Sequence, residues 1–203
     1  RPPLLNRAAW GADPSWRNGR PSYNRKVRQV HLHHTATANA YAPGDVPGIL
    51  QGMYRYHTRT LGWFDLGYNF VVDSFGRAWV GRSGGFWRPV RGAHTLGFNH
   101  NSVGIAVLGR FGKRPPTPQA VTTVVRLAAW KLDRYGGRPR GWVRAQSRGS
   151  DHYPAGTWVR LPVIDGHRDT SQTACPGAQL YAQLPAIRER AGKRVHRYDP
   201  PGE

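Results

Sequence analysis

The only cysteine of this 203-residue chain, Cys175, stands eight residues after His167 in the stretch DGHRDTSQTACPG (165–177). A single thiol cannot close an internal disulfide, so the structural role of most cysteines in exported proteins is closed to it. Three roles stay open: a metal ligand, a nucleophile, or a small buried apolar residue. A nucleophile needs a histidine base close by and gains from a helix N-terminus that lowers its pKa, and Cys175 does precede a stretch of helical character. A metal ligand needs companions, and His33 in RQVHLHHTAT (28–37) and His167 are the candidates. Two imidazoles, one thiolate and a fourth position left to water form the ligand set of a catalytic rather than a structural zinc. The His-x7-Cys spacing is not that of a zinc finger, and one cysteine among nine histidines produces such pairs by chance.

The elements that must position these groups follow from periodicity. Residues 28–37 read as a strand running into a loop, with Val30 and Leu32 on one face and His31 and His33 on the other. A helix is expected from about Val46 to Thr60, with Asp45 as N-cap and Gly62 as stop. YNFVVDSFGRAWVG (68–81) reads as a hairpin around Ser74-Phe75-Gly76, and NSVGIAVLG (101–109) as a buried strand. The clearest helix starts at Pro118 behind Thr117 and stops at Gly136-Gly137. A last helix is expected from about Ala178 to Ala191. The segment 138–160, rich in Gly and Arg, is expected as a long loop or insertion. The result is an α/β fold: one domain over 1–203 (core about 6–191, tail 192–203) with a central mixed β-sheet flanked by helices and the site in a groove at one edge.

Charge narrows the partners. There are 30 Lys+Arg against 11 Asp+Glu, a formal +19. Such a surface favours polyanions: nucleic acid, acidic lipid, or an anionic cell-wall polymer. Lysine occurs only at Lys26, Lys113, Lys131 and Lys193, so arginine dominates, and GC-rich coding with a plainly solvated basic surface is the bland explanation. No run of five basic residues and no aromatic-interleaved RNA-binding signature is present, so no specific nucleic acid is expected. No apolar run approaches the roughly 20 residues that a membrane-spanning helix needs. The opening RPPLLNRAAWG has no apolar leader, which is compatible with an exported chain trimmed of its signal.

Four stretches occur in order: VHLHHTAT, GWFDLGYNFVVDSFGRAWVGR, RGAHTLGFNHNSVGIAVLG and IDGHRDTSQTACPG. Together they closely resemble the zinc-dependent N-acetylmuramoyl-L-alanine amidases of the type 2 amidase and peptidoglycan recognition protein superfamily. NRAAWGAD at the start is similar to the entry of many members, and GSDHYPAGTWVRLPVIDGHRD to actinobacterial ones. The resemblance implies one Zn²⁺ held by His33, His167 and Cys175, with His34 turned to the other face. It implies Tyr68 as the residue that orients water or assists as base, and Thr173 as an oxyanion donor without full charge. It places His94, Asn99, His57 and Trp63 near the substrate, while Arg82 and Arg91 are candidates for stem-peptide carboxylates because a guanidinium fork matches a carboxylate. One departure is Val80, where the family often has Glu. The function implied is hydrolysis of the amide between N-acetylmuramic acid and L-alanine by a zinc-activated water, in a secreted, wall-associated monomer that acts on peptidoglycan and muropeptides. Anionic wall polymers are a further expected partner. A non-hydrolytic peptidoglycan sensor and a charge-driven nucleic-acid binder are the alternatives.

Overall fold

The computed structural model describes residues 2–196. Five strands form the main sheet: β1 (Gln29–His34), β2 (Phe70–Val72), β3 (Ala78–Val80), β4 (Ser102–Val107) and β7 (Ile164–Gly166), in the order β3-β2-β4-β1-β7. Only β2 and β3 pair antiparallel; β2 with β4, β4 with β1, and β1 with β7 run parallel. This is the expected mixed sheet. Parallel strands buried on both faces carry long apolar runs, and all of β4 and nearly all of β1 are buried.

Alternation along β1 sorts its side chains between two cores. Val30 and Leu32 face the helix α2 (Pro118–Asp133), packing with Ile105, Val124, Leu127 and Ala128. The opposite face is closed by α1 (Val46–Arg55) and the N-terminal segment, where Trp10, Leu50 and Tyr54 pack against Val71 and Trp79. Trp10 is tied in by its indole N–H, which donates to the Val80 carbonyl at 2.8 Å. Arg7 pairs with buried Asp65 at 3.0 Å. His31 and His33 emerge on this second face.

Helix ends show where local chemistry rules. Thr117 caps α2 as expected, its hydroxyl accepting from the Ala120 N–H at 3.2 Å. Asp45 does not cap α1 with its side chain; its carboxylate turns back to accept from the Ala42 N–H at 2.7 Å. Beyond Arg55 the helix widens over Tyr56–Thr60, with Leu61 N–H donating five residues back to Tyr56, before Gly62 (φ +68°) ends it. The expected last helix is two: α3 (Ala178–Tyr181) and α4 (Leu184–Gly192), with Pro185 in the first turn of α4. Proline has no N–H to bond back to the preceding turn, so the break falls just ahead of it.

The segment 138–160 corrects the expectation of a loop. It holds β5 (Trp142–Gln146) and most of β6 (Trp158–Pro162), a separate antiparallel pair whose turn absorbs the Gly, Ser and Pro residues. Val143 and Leu161 on its inner face join the α2 core. Of the tail expected at 192–203, residues 197–203 lie outside the described residues.

Candidate metal centre

β1 delivers His33 to the C-terminal edge of the sheet. β7 delivers His167, the first residue past its end in a short 3₁₀ turn (His167–Asp169). Cys175 follows at the far end of the same irregular segment, which folds back on itself: Arg168 N–H donates to the Cys175 carbonyl at 2.9 Å and the Arg168 guanidinium to Ala174 at 2.6 Å. Asp169 braces the turn by accepting from the Gly166 N–H at 2.9 Å and the Tyr181 hydroxyl at 2.6 Å. The outcome is that one ligand atom from each of His33, His167 and Cys175 lies within 4.8 Å of the others. Among the described residues this is the only such group of three or more His, Cys, Asp or Glu.

The chemistry of these donors fits a zinc ion. Burial is the main force holding His33 and His167 in the neutral form, His167 down to about 4, so both offer lone pairs rather than charges. Burial also pushes the Cys175 thiol up to about 12, offset in part by the His34 N–H, which points at its sulfur from 3.4 Å. A buried thiolate needs a cation at its side, and a three-donor pocket is where one belongs.

Around the donors lies a layer of buried polar groups. The Nδ1 of His33 is 3.7 Å from the Cys175 sulfur, while its Nε2 is 3.1 Å from the Nδ1 of His94. His94 thus backs the site instead of lining its open side, and it is buried. Its ring occupies space left by two glycines: a Cβ on Gly104 would come within 2.4 Å of it and one on Gly92 within 2.3 Å. Beside it, His31 pairs with Asp165 at 2.5 Å, and Gln29 donates to the other oxygen of Asp165 at 2.8 Å. The sequence reading missed His31 and Asp165 as members of this layer. Their only signal was position, two residues before His33 on the same face and two before His167.

The remaining candidates divide by exposure. Tyr68 is half-buried with its ring 5.3 Å from that of His33. Burial, then the nearby Cys175, raises its phenol further above the ordinary range, so the hydroxyl keeps its proton. Thr173 is exposed, and its Oγ1 accepts from the Cys175 N–H at 3.1 Å. His57, in the widened end of α1, stacks on Trp63 with ring centres 4.7 Å apart, and its Nδ1 accepts from the Gly67 N–H at 3.1 Å. Trp63 is exposed. Asn99 and both candidate arginines are committed internally. The Asn99 oxygen accepts from the His94 and Thr95 N–H groups at 2.8 and 3.0 Å, shaping the turn that carries His94. Arg91 donates to Asn24 at 3.0 Å. Arg82 is buried and donates to the Leu66 carbonyl at 2.8 Å. His34, on the opposite face as expected, accepts from the Phe111 N–H at 3.3 Å. Val80 packs in the core.

A family model described as N-acetylmuramoyl-L-alanine amidase matches residues 23–178. A human protein of that name is 33% identical over 190 residues, covering 90% of this chain but only 28% of the human protein's length. Mouse peptidoglycan recognition protein 1 is 30% identical over 179 residues, covering 88% of this chain and 84% of its own. Among solved structures, Drosophila PGRP-LB superposes with a TM-score of 0.70 at 25% identity, covering 91% of this chain and 93% of its own.

Proposed function

The chain belongs to the N-acetylmuramoyl-L-alanine amidase family, and from that premise we propose that it is itself a hydrolase, cutting the amide between N-acetylmuramic acid and L-alanine in peptidoglycan. The observation that carries this reading is the convergence of His33, His167 and Cys175. A protein that only binds the polymer has no use for three donors at this spacing, two of them buried and His167 half-buried. Held by these residues, one Zn²⁺ would supply the Lewis acidity that polarises an amide carbonyl and brings a water toward a pKa of about 7.

The chain's own groups do the rest. Tyr68, kept protonated and adjacent to His33, orients the attacking water at its hydroxyl. The Oγ1 of Thr173 already accepts from the Cys175 N–H, which leaves its O–H free to donate to an oxygen that gains charge. A His33 that offers its Nδ1 as ligand carries its proton on Nε2 and would donate it to the His94 Nδ1, 3.1 Å away. The His57–Trp63 stack, with the His57 Nδ1 held by the Gly67 N–H, forms a wall for sugar or peptide faces. On this reading the protein is secreted and meets muropeptides in the wall, its positive charge aiding approach.

The test is incubation with purified peptidoglycan, with and without a zinc chelator, counting released alanine amino termini and new reducing sugar ends. Amino termini that appear only when zinc is present are the expected result. New reducing ends would make the enzyme a glycosidase, and binding without either product would make it a sensor.

A further inference from the structure

The outer face of the β5–β6 pair is unusual for a solvated sheet. Trp142 and Trp158 are 57% and 56% exposed, and Arg144 and Arg160 lie between them, directly opposite one another across the ladder. Like charges opposite each other destabilise an antiparallel pair. No acidic side chain pairs with either guanidinium among the described residues. Each instead sits on a tryptophan of the neighbouring strand, Arg144 over Trp158 at 5.1 Å and Arg160 over Trp142 at 4.7 Å. The ring beneath each fork restricts it without neutralising it.

The cationic face continues into a cleft. Arg28, Arg144 and Arg148 line it together with His100, with Trp158 at its lip, and no acid is among the described residues that line it. The buried Nδ1 of His100 has no hydrogen-bond partner there. Arg28 precedes β1, whereas His33 lies near its other end. Five residues of extended chain set the two sites about 17 Å apart, so a ligand that fills the cleft does not occupy the metal centre.

We infer that this face and cleft form a second binding surface for a wall polymer of phosphodiester-linked sugars or polyols, separate from the hydrolytic groove. Closely spaced guanidinium forks match closely spaced phosphate oxygens, which accept bidentate hydrogen bonds. One face of each tryptophan is already taken by an arginine, which favours a backbone of anions over a strand of bases seeking stacking partners. The reading above enters only in naming the wall as the surface encountered.

The experiment titrates the full chain with poly(glycerol phosphate) at several salt concentrations, using a charge-matched oligo(dT) as the competing ligand. Wild type is expected to bind the polyol phosphate with an affinity that falls linearly on a log–log plot against salt. The R144Q/R160Q double variant is expected to bind about tenfold more weakly or worse, with a shallower salt slope. W158F, which keeps a ring under Arg144, should retain most of the binding and controls for folding. Hydrolysis of a soluble muropeptide should be the same in all three. Unchanged affinity in the double variant overturns the inference, and tighter binding of oligo(dT) through the same arginines assigns the surface to nucleic acid. Loss of hydrolysis in wild type would defeat the amidase reading while leaving the binding result to stand alone.

Discussion

The two ends of strand β1 solve opposite electrostatic problems. At the C-terminal end, His33 and Cys175 are buried and His167 is half-buried, and burial suppresses charge on every one of them. At the N-terminal end, Arg28 joins a set of exposed guanidiniums. Coordination needs free lone pairs at fixed positions, which a dry, neutral pocket provides. Attraction at a distance needs net charge in the solvent, which only the surface can keep. One short segment supports both because His33 turns inward while Arg28, the residue just before the strand, stays exposed.

The comparison breaks most completely if Cys175 is dispensable. C175A is expected to abolish both zinc retention and turnover while leaving the fold intact, as read by metal content after dialysis, circular dichroism and alanine release. Full activity in that variant would remove the metal from the chemistry. Y68F is expected to lower kcat by about 100-fold with zinc still bound, the scale of a lost, closely placed hydrogen-bonding hydroxyl; an unchanged kcat would reduce Tyr68 to packing. H94L removes the partner of the His33 Nε2 and is expected to weaken zinc affinity by about 10- to 100-fold, measured by competition with a chromophoric chelator.

A smaller effect sharpens the same contrast through pH. Burial first, then the Arg82 guanidinium, lowers His57 to about 4, while Asp65 pulls it partly back. An unfolded histidine titrates near 6.5. Between those values the unfolded chain takes a proton that the folded one refuses, so stability is whole above about 6.5 and declines as pH falls toward 4. H57Q is expected to flatten that decline by a few degrees in Tm, seen in melts of metal-free protein from pH 4 to 7; identical slopes would show that His57 does not contribute.

Much of this was legible in the chain. Alternation alone put His31 and His33 on one face and Val30 and Leu32 on the other, because a strand has a period of two. The hairpin turn and the α2 cap were equally local. What escaped notice depended on contacts far along the chain. Nothing near His94 announces that it sits behind His33, since the space it fills is made by Gly104 on another strand. The β5–β6 pair was hidden because its strands are five residues each and the turn between them is dense in loop formers. Only the repeated Trp-Val-Arg at 142–144 and 158–160 hinted at matched strands.

The donors of the candidate metal centre come from positions 33, 167 and 175, and that separation would give a bound ion a mechanical role. A cation held there would fasten the turn after β7 to the neighbouring strand β1, as a rivet joins two plates. Withdrawing it should first loosen 167–177, where backbone amides would exchange with deuterium while those of β1 and β4 stay protected. Metal supply would then set how long the folded protein resists proteases.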